Sequence, residues 1–186
     1  MIRIRKADVN DAEIISTYLF LAMADIVYGF IGEKNPKKAR AFLLHFAEKD
    51  NNQYSYQNSW VAEDDMNVVA AVILYDGALL NELREPVIEY VRSKFNKDFN
   101  PEAETQAGEY YIDSLGVNSN YQNKGIGTTL LKFVIDEYVT RHHQTLGLLV
   151  DDDNPNAKRL YLKLGFKSAG KRVLFGKNME HLQIKG

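Results

Sequence analysis

The chain has 186 residues, 45 % of them hydrophobic and 26 % charged, with a net charge of −2 and no cysteine. At that length a single domain over residues 1–186 is expected, burying roughly 70 % of its unfolded surface. The near-neutral balance offers no basic surface for nucleic acid, and the missing thiols exclude disulfides, thiolate metal sites and cysteine nucleophiles.

No apolar run approaches the roughly 18 residues needed to cross a bilayer, and the opening MIRIRKADVND lacks a signal-peptide core. No membrane partner and a cytoplasmic location are therefore expected. Met1 to Ala7 sets Ile2 and Ile4 against Arg3 and Arg5, the alternation of a short strand. Asp8 or Asn10 can cap the helix that follows, whose apolar stripe runs through Ile14, Ile15, Tyr18, Leu19, Ala22, Met23, Ile26 and Val27 to a stop near Gly29. Asn35-Pro36 opens a second helix with Ala39, Phe42, Leu43 and Phe46 on its buried side. Ser59 to Ala62 and Val68 to Tyr75 read as two strands joined at Asp64–Asn67 and closed by Asp76-Gly77.

Residues 78–108 have a different texture. Leu79, Leu80, Leu83, Val87, Val91 and Phe95 recur at helical spacing, with a break or kink expected at Pro86, and a polar stretch follows. Tyr110 to Tyr138 then reads as strand, glycine-bearing loop and amphipathic helix. Thr145 to Val150 is another strand, Asn154-Pro155 starts a helix that stops at Gly165, and the tail forms two strands around Gly176-Lys177-Asn178.

The loop at 122–128 has the makings of an anion cradle. A helix start carries unpaired N–H groups and the positive end of the helix dipole, and Gly125 and Gly127 remove side chains that would block an approaching phosphate. A dinucleotide fingerprint needs a third glycine where Leu130 stands, and the nucleotide-binding G-x-x-x-x-G-K-[ST] run is absent. What fits is Q/R-x-x-G-x-G/A, as Gln122-Asn123-Lys124-Gly125-Ile126-Gly127. One strand downstream, Asn154-Pro155-Asn156-Ala157-Lys158-Arg159-Leu160-Tyr161 continues to Gly165-Phe166, giving N-x-x-A-x-x-L-Y-x-x-x-G-F.

Together these segments resemble the GNAT superfamily of acyl-CoA-dependent N-acetyltransferases, closely over residues 110–166. The resemblance implies a mixed, mostly antiparallel α/β sheet with helices on both faces and a V-shaped splay between two parallel strands. It implies acetyl-CoA as cosubstrate, no metal, and an amine as acceptor. Backbone groups of Leu115 and Val117 would hold the pantetheine arm, with Gly116 at the place where a bulge would be useful. The N–H groups from Gln122 through Asn123, Lys124, Gly125, Ile126 and Gly127 to Thr128 would take the pyrophosphate. Asn154 and Ala157 would lie along the arm, and Tyr161 would protonate the leaving thiolate.

A base must deprotonate the amine. Asp113 is the first candidate, with Glu109 behind it. The glutamate that some members carry five residues before the motif asparagine is Leu149 here. Asp151 to Asp153 is either a contact for a cationic substrate or a solvated turn, and Tyr28, Phe30, Trp60 and Tyr75 are candidate walls for the acceptor. The 78–108 insertion is either a cap over the acceptor site or the surface of a homodimer. A CoA-binding module without turnover is the alternative function.

Overall fold

The computed structural model of the chain describes residues 1–186. Seven strands form one sheet: β1 (Arg3–Lys6), β2 (Ser59–Asp64), β3 (Asn67–Asp76), β4 (Tyr110–Val117), β5 (Leu146–Asp151), β6 (Lys167–Leu174) and β7 (Lys177–Ile184), ordered β1-β2-β3-β4-β5-β7-β6. Only β4 and β5 run parallel; every other pair is antiparallel. The helices are α1 (Ala12–Ile31), α2 (Pro36–Ala47), α3 (Leu80–Lys94), α4 (Ile126–Val134, continued by a π-helical turn to Arg141) and α5 (Pro155–Lys163).

Strand alternation sorts the sheet into two faces. Val61, Ala71, Ile73, Tyr75 and Tyr111 meet α1, α2 and α3, while Ala62, Ala70, Val72, Leu74, Ile112 and Leu148 meet α4 and α5. Most of the α1 stripe is used: Ile15, Tyr18, Leu19, Met23 and Val27 are buried, Ile14 and Ile26 half-buried, and Ala22 lies exposed. Val9–Ile31 is long and apolar enough by composition to cross a membrane, contrary to the expectation from the sequence, yet this helix lies against the sheet and fills its core. It also passes Gly29 and ends at Gly32, whose left-handed φ of 71° closes it. Gly29 adopts a helical backbone, so the glycine alone does not stop it.

Capping follows side-chain chemistry. Asp8 and Asp11 form a reciprocal capping box ahead of α1, and Asn35 accepts from the Lys38 N–H at the start of α2 with Pro36 inside the first turn. The α3 helix runs through Pro86 without a break, burying Leu80, Val87 and Val91 among the α1 and α2 side chains. Its apolar face is thus satisfied within the chain, leaving Leu79 and Phe95 partly exposed at its two ends.

Candidate active site

Two strands that part company create the cleft. β4 and β5 pair only through Tyr110↔Leu146, Tyr111↔Gly147 and Ile112↔Leu148. Beyond Ile112, β4 continues to Val117 on β3 alone, so its other edge carries unpaired N–H and C=O groups. Leu115 and Val117 are half-buried there. The expected splay is present.

A bulge sits beside the splay, but at Asp113. The register passes from Ile73↔Ser114 to Leu74↔Ile112, leaving Asp113 without a partner on β3. Gly116 serves a different purpose from the one expected. A Cβ there would overlap the backbone carbonyl of Tyr18, so the missing side chain lets α1 lie directly on β4.

Below this edge lies the mouth of α4. Gly125 caps it in the left-handed region, φ 80°, and no side chain caps the helix. The N–H groups from Gln122 to Thr128 find no acceptor within the chain. An exposed run of free amides at a helix N-terminus is an anion site by dipole and hydrogen-bonding capacity alike. Gly127 faces the β4 edge: a Cβ there would lie 3.4 Å from the Leu115 and Val117 side chains. Gln122 turns back to donate to the Val117 carbonyl at 3.3 Å.

The other wall is α5. Its inner residues Ala157, Leu160, Tyr161 and Leu164 are only half-buried, and no residue of α5 is fully buried. Asn154 caps the helix, accepting from the Ala157 N–H at 3.2 Å. That occupies the side-chain oxygen and leaves its amide N–H groups free. Tyr161 stacks edge-on against Phe166, 5.9 Å between centroids, and burial raises its phenol above the usual value. Its hydroxyl has no partner within the chain and is not sealed from solvent.

Asp113 points to the opposite face of the sheet from α4. Its Oδ2 accepts from Gln53 Nε2 and from Tyr75 Oη, both at 2.8 Å. Glu104, from the loop after α3, receives the same two donors: Tyr75 Oη lies 2.9 Å from Glu104 Oε1, and Gln53 Nε2 also reaches that oxygen. Arg84 of α3 pairs with Glu104 Oε2 at 3.2 Å, both side chains being about 7 % exposed. Burial raises the Asp113 carboxyl above the usual range. Burial and then Asp113's charge push Glu104 up to about 7. Asp113 stays partly open: among unpartnered side-chain polar atoms only Arg84 Nε and Ser114 Oγ are sealed, so Asp113 Oδ1 reaches solvent.

Glu109 is a fixture of the sheet. Its carboxylate accepts from Thr105 Oγ1 at 2.7 Å and Gln183 Nε2 at 2.7 Å, and meets His181 Nε2 at 2.8 Å. Gly147 makes room for it, since a Cβ there would overlap the carboxylate. The three hydrogen-bond partners outweigh burial and hold its pKa below the usual value. Trp60 lies on the α4 face, stacked on Phe133 and donating to Tyr138 Oη at 3.3 Å, so it cannot wall the side where Asp113 opens. Asp151 is tied to Lys177 at 2.8 Å and to the Asp153 N–H.

The Acetyltransferase (GNAT) family model matches residues 31–166. The chain belongs to the GNAT acetyltransferase family. No curated protein matches the sequence. Among solved structures, the N-acetyltransferase from Staphylococcus aureus Mu50 is similar in fold, with a TM-score of 0.80 and 22 % identity over 98 % of this chain and 100 % of that one. An acetyltransferase crystal structure is similar at 28 % identity, TM-score 0.78, over 98 % of both chains. The spermidine/spermine N-acetyltransferase SpeG from Vibrio cholerae is more distant, at 19 % identity and TM-score 0.57 over 100 % and 95 %.

GNAT enzymes use acetyl-CoA as cosubstrate. Free amides, an open strand edge and the small Gly127 between them fit its anionic and pantetheine parts. Gln53, Arg84 and Glu104 escaped the sequence reading because no motif or periodicity marks them. The one available signal was length, since the loop 95–109 is long for a connection without regular structure, and such loops are usually functional.

Proposed function

We propose that this GNAT chain transfers an acetyl group from acetyl-CoA to a primary amine, of a small molecule or a peptide, by direct attack in a ternary complex. The observation that carries the proposal is the abrupt end of β4–β5 pairing at Ile112–Leu148, beside the run of acceptorless amides at α4.

When bound, acetyl-CoA supplies the electrophilic thioester and leaves as the thiol. Backbone N–H groups from Gln122 to Thr128 would hold the pyrophosphate, and the free edge at Leu115 and Val117 would hold the arm as a neighbouring strand would. Asn154 would add its free amide N–H groups. Asp113 Oδ1 receives the proton of the acceptor ammonium, freeing the nitrogen lone pair. Tyr161, kept protonated by burial, donates its hydroxyl proton to the departing sulfur, and its phenolate takes back the second proton that the attacking nitrogen sheds as the amide forms.

The test is thiol release from acetyl-CoA by the intact protein across a panel of primary amines, with the acetylated product weighed by mass spectrometry. The expected result is amine-dependent thiol release that Gly127→Glu abolishes. Binding of acetyl-CoA without release for any amine leaves a CoA-binding module and refutes the enzyme.

A further inference from the structure

We propose that Asp113 and Glu104 form a single proton-accepting unit, joined through the Tyr75 hydroxyl, so that the insertion supplies half of the base. This rests on the amine-acetylation function proposed above and extends it to residues the family pattern does not specify.

Counting hydrogens leads there. Gln53 Nε2 carries two hydrogens and can give one to each carboxylate. Tyr75 carries one hydroxyl hydrogen, yet Oη lies at hydrogen-bonding distance from both carboxylates, 2.9 Å from Glu104 and 2.8 Å from Asp113. The hydroxyl can donate to one of them only. The other contact is a hydrogen bond only if that carboxyl carries a proton and donates it to Oη. The approach of Gln53 Nε2 to Tyr75 Oη, 3.2 Å, adds a further contact with no hydrogen left to fill it. The observed geometry therefore matches a pair holding one proton, in a carboxyl–hydroxyl–carboxylate chain.

Charge agrees with the count. Two ionised carboxylates beside one guanidinium would leave a net negative charge in a buried place, whereas one shared proton makes the group neutral. The buried groups facing the pair are Arg84 from α3, Tyr75 from β3, Tyr54 from the segment before β2 and Tyr111 from β4. Just before β4 stands the Glu109–His181 contact, and Arg172 of β6 donates from outside to the Ala103 carbonyl and the Gln106 side-chain oxygen. Arg84 is the only cation in contact with either carboxylate.

The chemistry follows. In the fully ionised form, Asp113 Oδ1 takes a proton from the acceptor ammonium: one N–H bond breaks and one O–H bond forms. The protonated Asp113 carboxyl then turns so that its O–H takes the place of Oδ2 against Tyr75 Oη; that O–H bond breaks as Oη accepts the proton, and Oη gives its own proton to Glu104 Oε1, leaving Asp113 ionised and the pair singly protonated. The second carboxylate makes Asp113 a stronger base than a lone aspartate. A pair of this kind titrates as one unit near neutrality, and its ionised form is the active one, so activity rises with pH through that value.

Two measurements on the full chain test this. The first is a pH titration of carboxyl carbons by NMR, with Asp and Glu labelled at the side-chain carboxylate. The expected result is one shared proton lost near pH 7, sensed at both Asp113 and Glu104. In Glu104→Gln the Asp113 signal then titrates at least one pH unit lower. Titration of both carboxyls independently, each near pH 4, would overturn the pair. The second compares butylamine with trifluoroethylamine, an amine already neutral at pH 7, in Tyr75→Phe, which keeps both carboxylates and Arg84. The expected result is a loss in kcat of about tenfold or more with butylamine, at unchanged acetyl-CoA affinity. With trifluoroethylamine the loss disappears. Equal losses with both amines, or none, would overturn the relay. A wild-type protein that releases no thiol with these or any other amine of the panel refutes the enzymatic function, and the NMR result then judges the shared proton by itself.

Discussion

Replacing Gly116 by alanine tests how α1 is seated on β4. The added methyl overlaps the carbonyl oxygen, carbonyl carbon and Cβ of Tyr18, two of which are backbone atoms of α1. Tyr18 is 2 % exposed and its hydroxyl donates to the Val68 carbonyl at 2.6 Å, so it cannot turn aside cheaply. Either α1 lifts from the sheet or β4 shifts toward the gap. Overpacking of a fixed core costs about 1–3 kcal/mol, somewhat offset by alanine's lower backbone entropy in a strand. For a chain of this size that corresponds to a Tm lower by roughly 2–12 °C. Gly29→Ala is the matched control: a Cβ there meets nothing within 4 Å in a helical setting, and it should raise stability by up to about 1 kcal/mol. Thermal unfolding followed by circular dichroism, with urea midpoints alongside, reads both. If Gly116→Ala melts within 1 °C of wild type, α1 is not seated on β4 as described.

Four further outcomes are expected. Gly127→Glu places a carboxylate at the α4 mouth and should weaken acetyl-CoA binding on the order of 100-fold, about 2.7 kcal/mol, by isothermal titration. Tyr161→Phe should lower kcat about 100-fold while leaving acetyl-CoA affinity unchanged, provided the hydroxyl protonates the leaving sulfur. Gly147→Ala pushes the Glu109 carboxylate off Thr105, His181 and Gln183 and should cost about 2 kcal/mol or more in urea unfolding. The Arg5 guanidinium holds Asp11 below the usual carboxylate value. That stabilisation is complete above the unfolded-state pKa and disappears as pH falls through the lower folded one, so Asp11→Asn should flatten the acid side of the stability–pH curve.

Most of the fold was legible because its signals are local. Caps at Asp8 and Asn35, the apolar stripes of α1 and α2, and the strand–loop–helix at 110–138 all declare themselves within a few residues. Gly29 misled because a glycine ends a helix only where the backbone needs positive φ, which here happens at Gly32. Pro86 misled because it could be accommodated within an otherwise well-packed helix. The helix mouth with its free amides was legible because a glycine pattern is compact and local. The buried carboxylate cluster was not, since Gln53, Tyr75, Arg84, Glu104 and Asp113 meet only through long-range contacts between three separate segments and the sheet. For the same reason the bulge could not be assigned to Asp113. Its position is set by partners on β3 and in the loop after α3.

The most direct measurement is an amide NMR titration of the nitrogen-15-labelled chain with acetyl-CoA. The largest shifts should fall on Gln122 to Thr128 and on Leu115 and Val117, with smaller ones on Asn154 and Tyr161. Shifts confined to other parts of the sheet, or none at saturating acetyl-CoA, would contradict the placement of the cofactor in the β4–β5 gap.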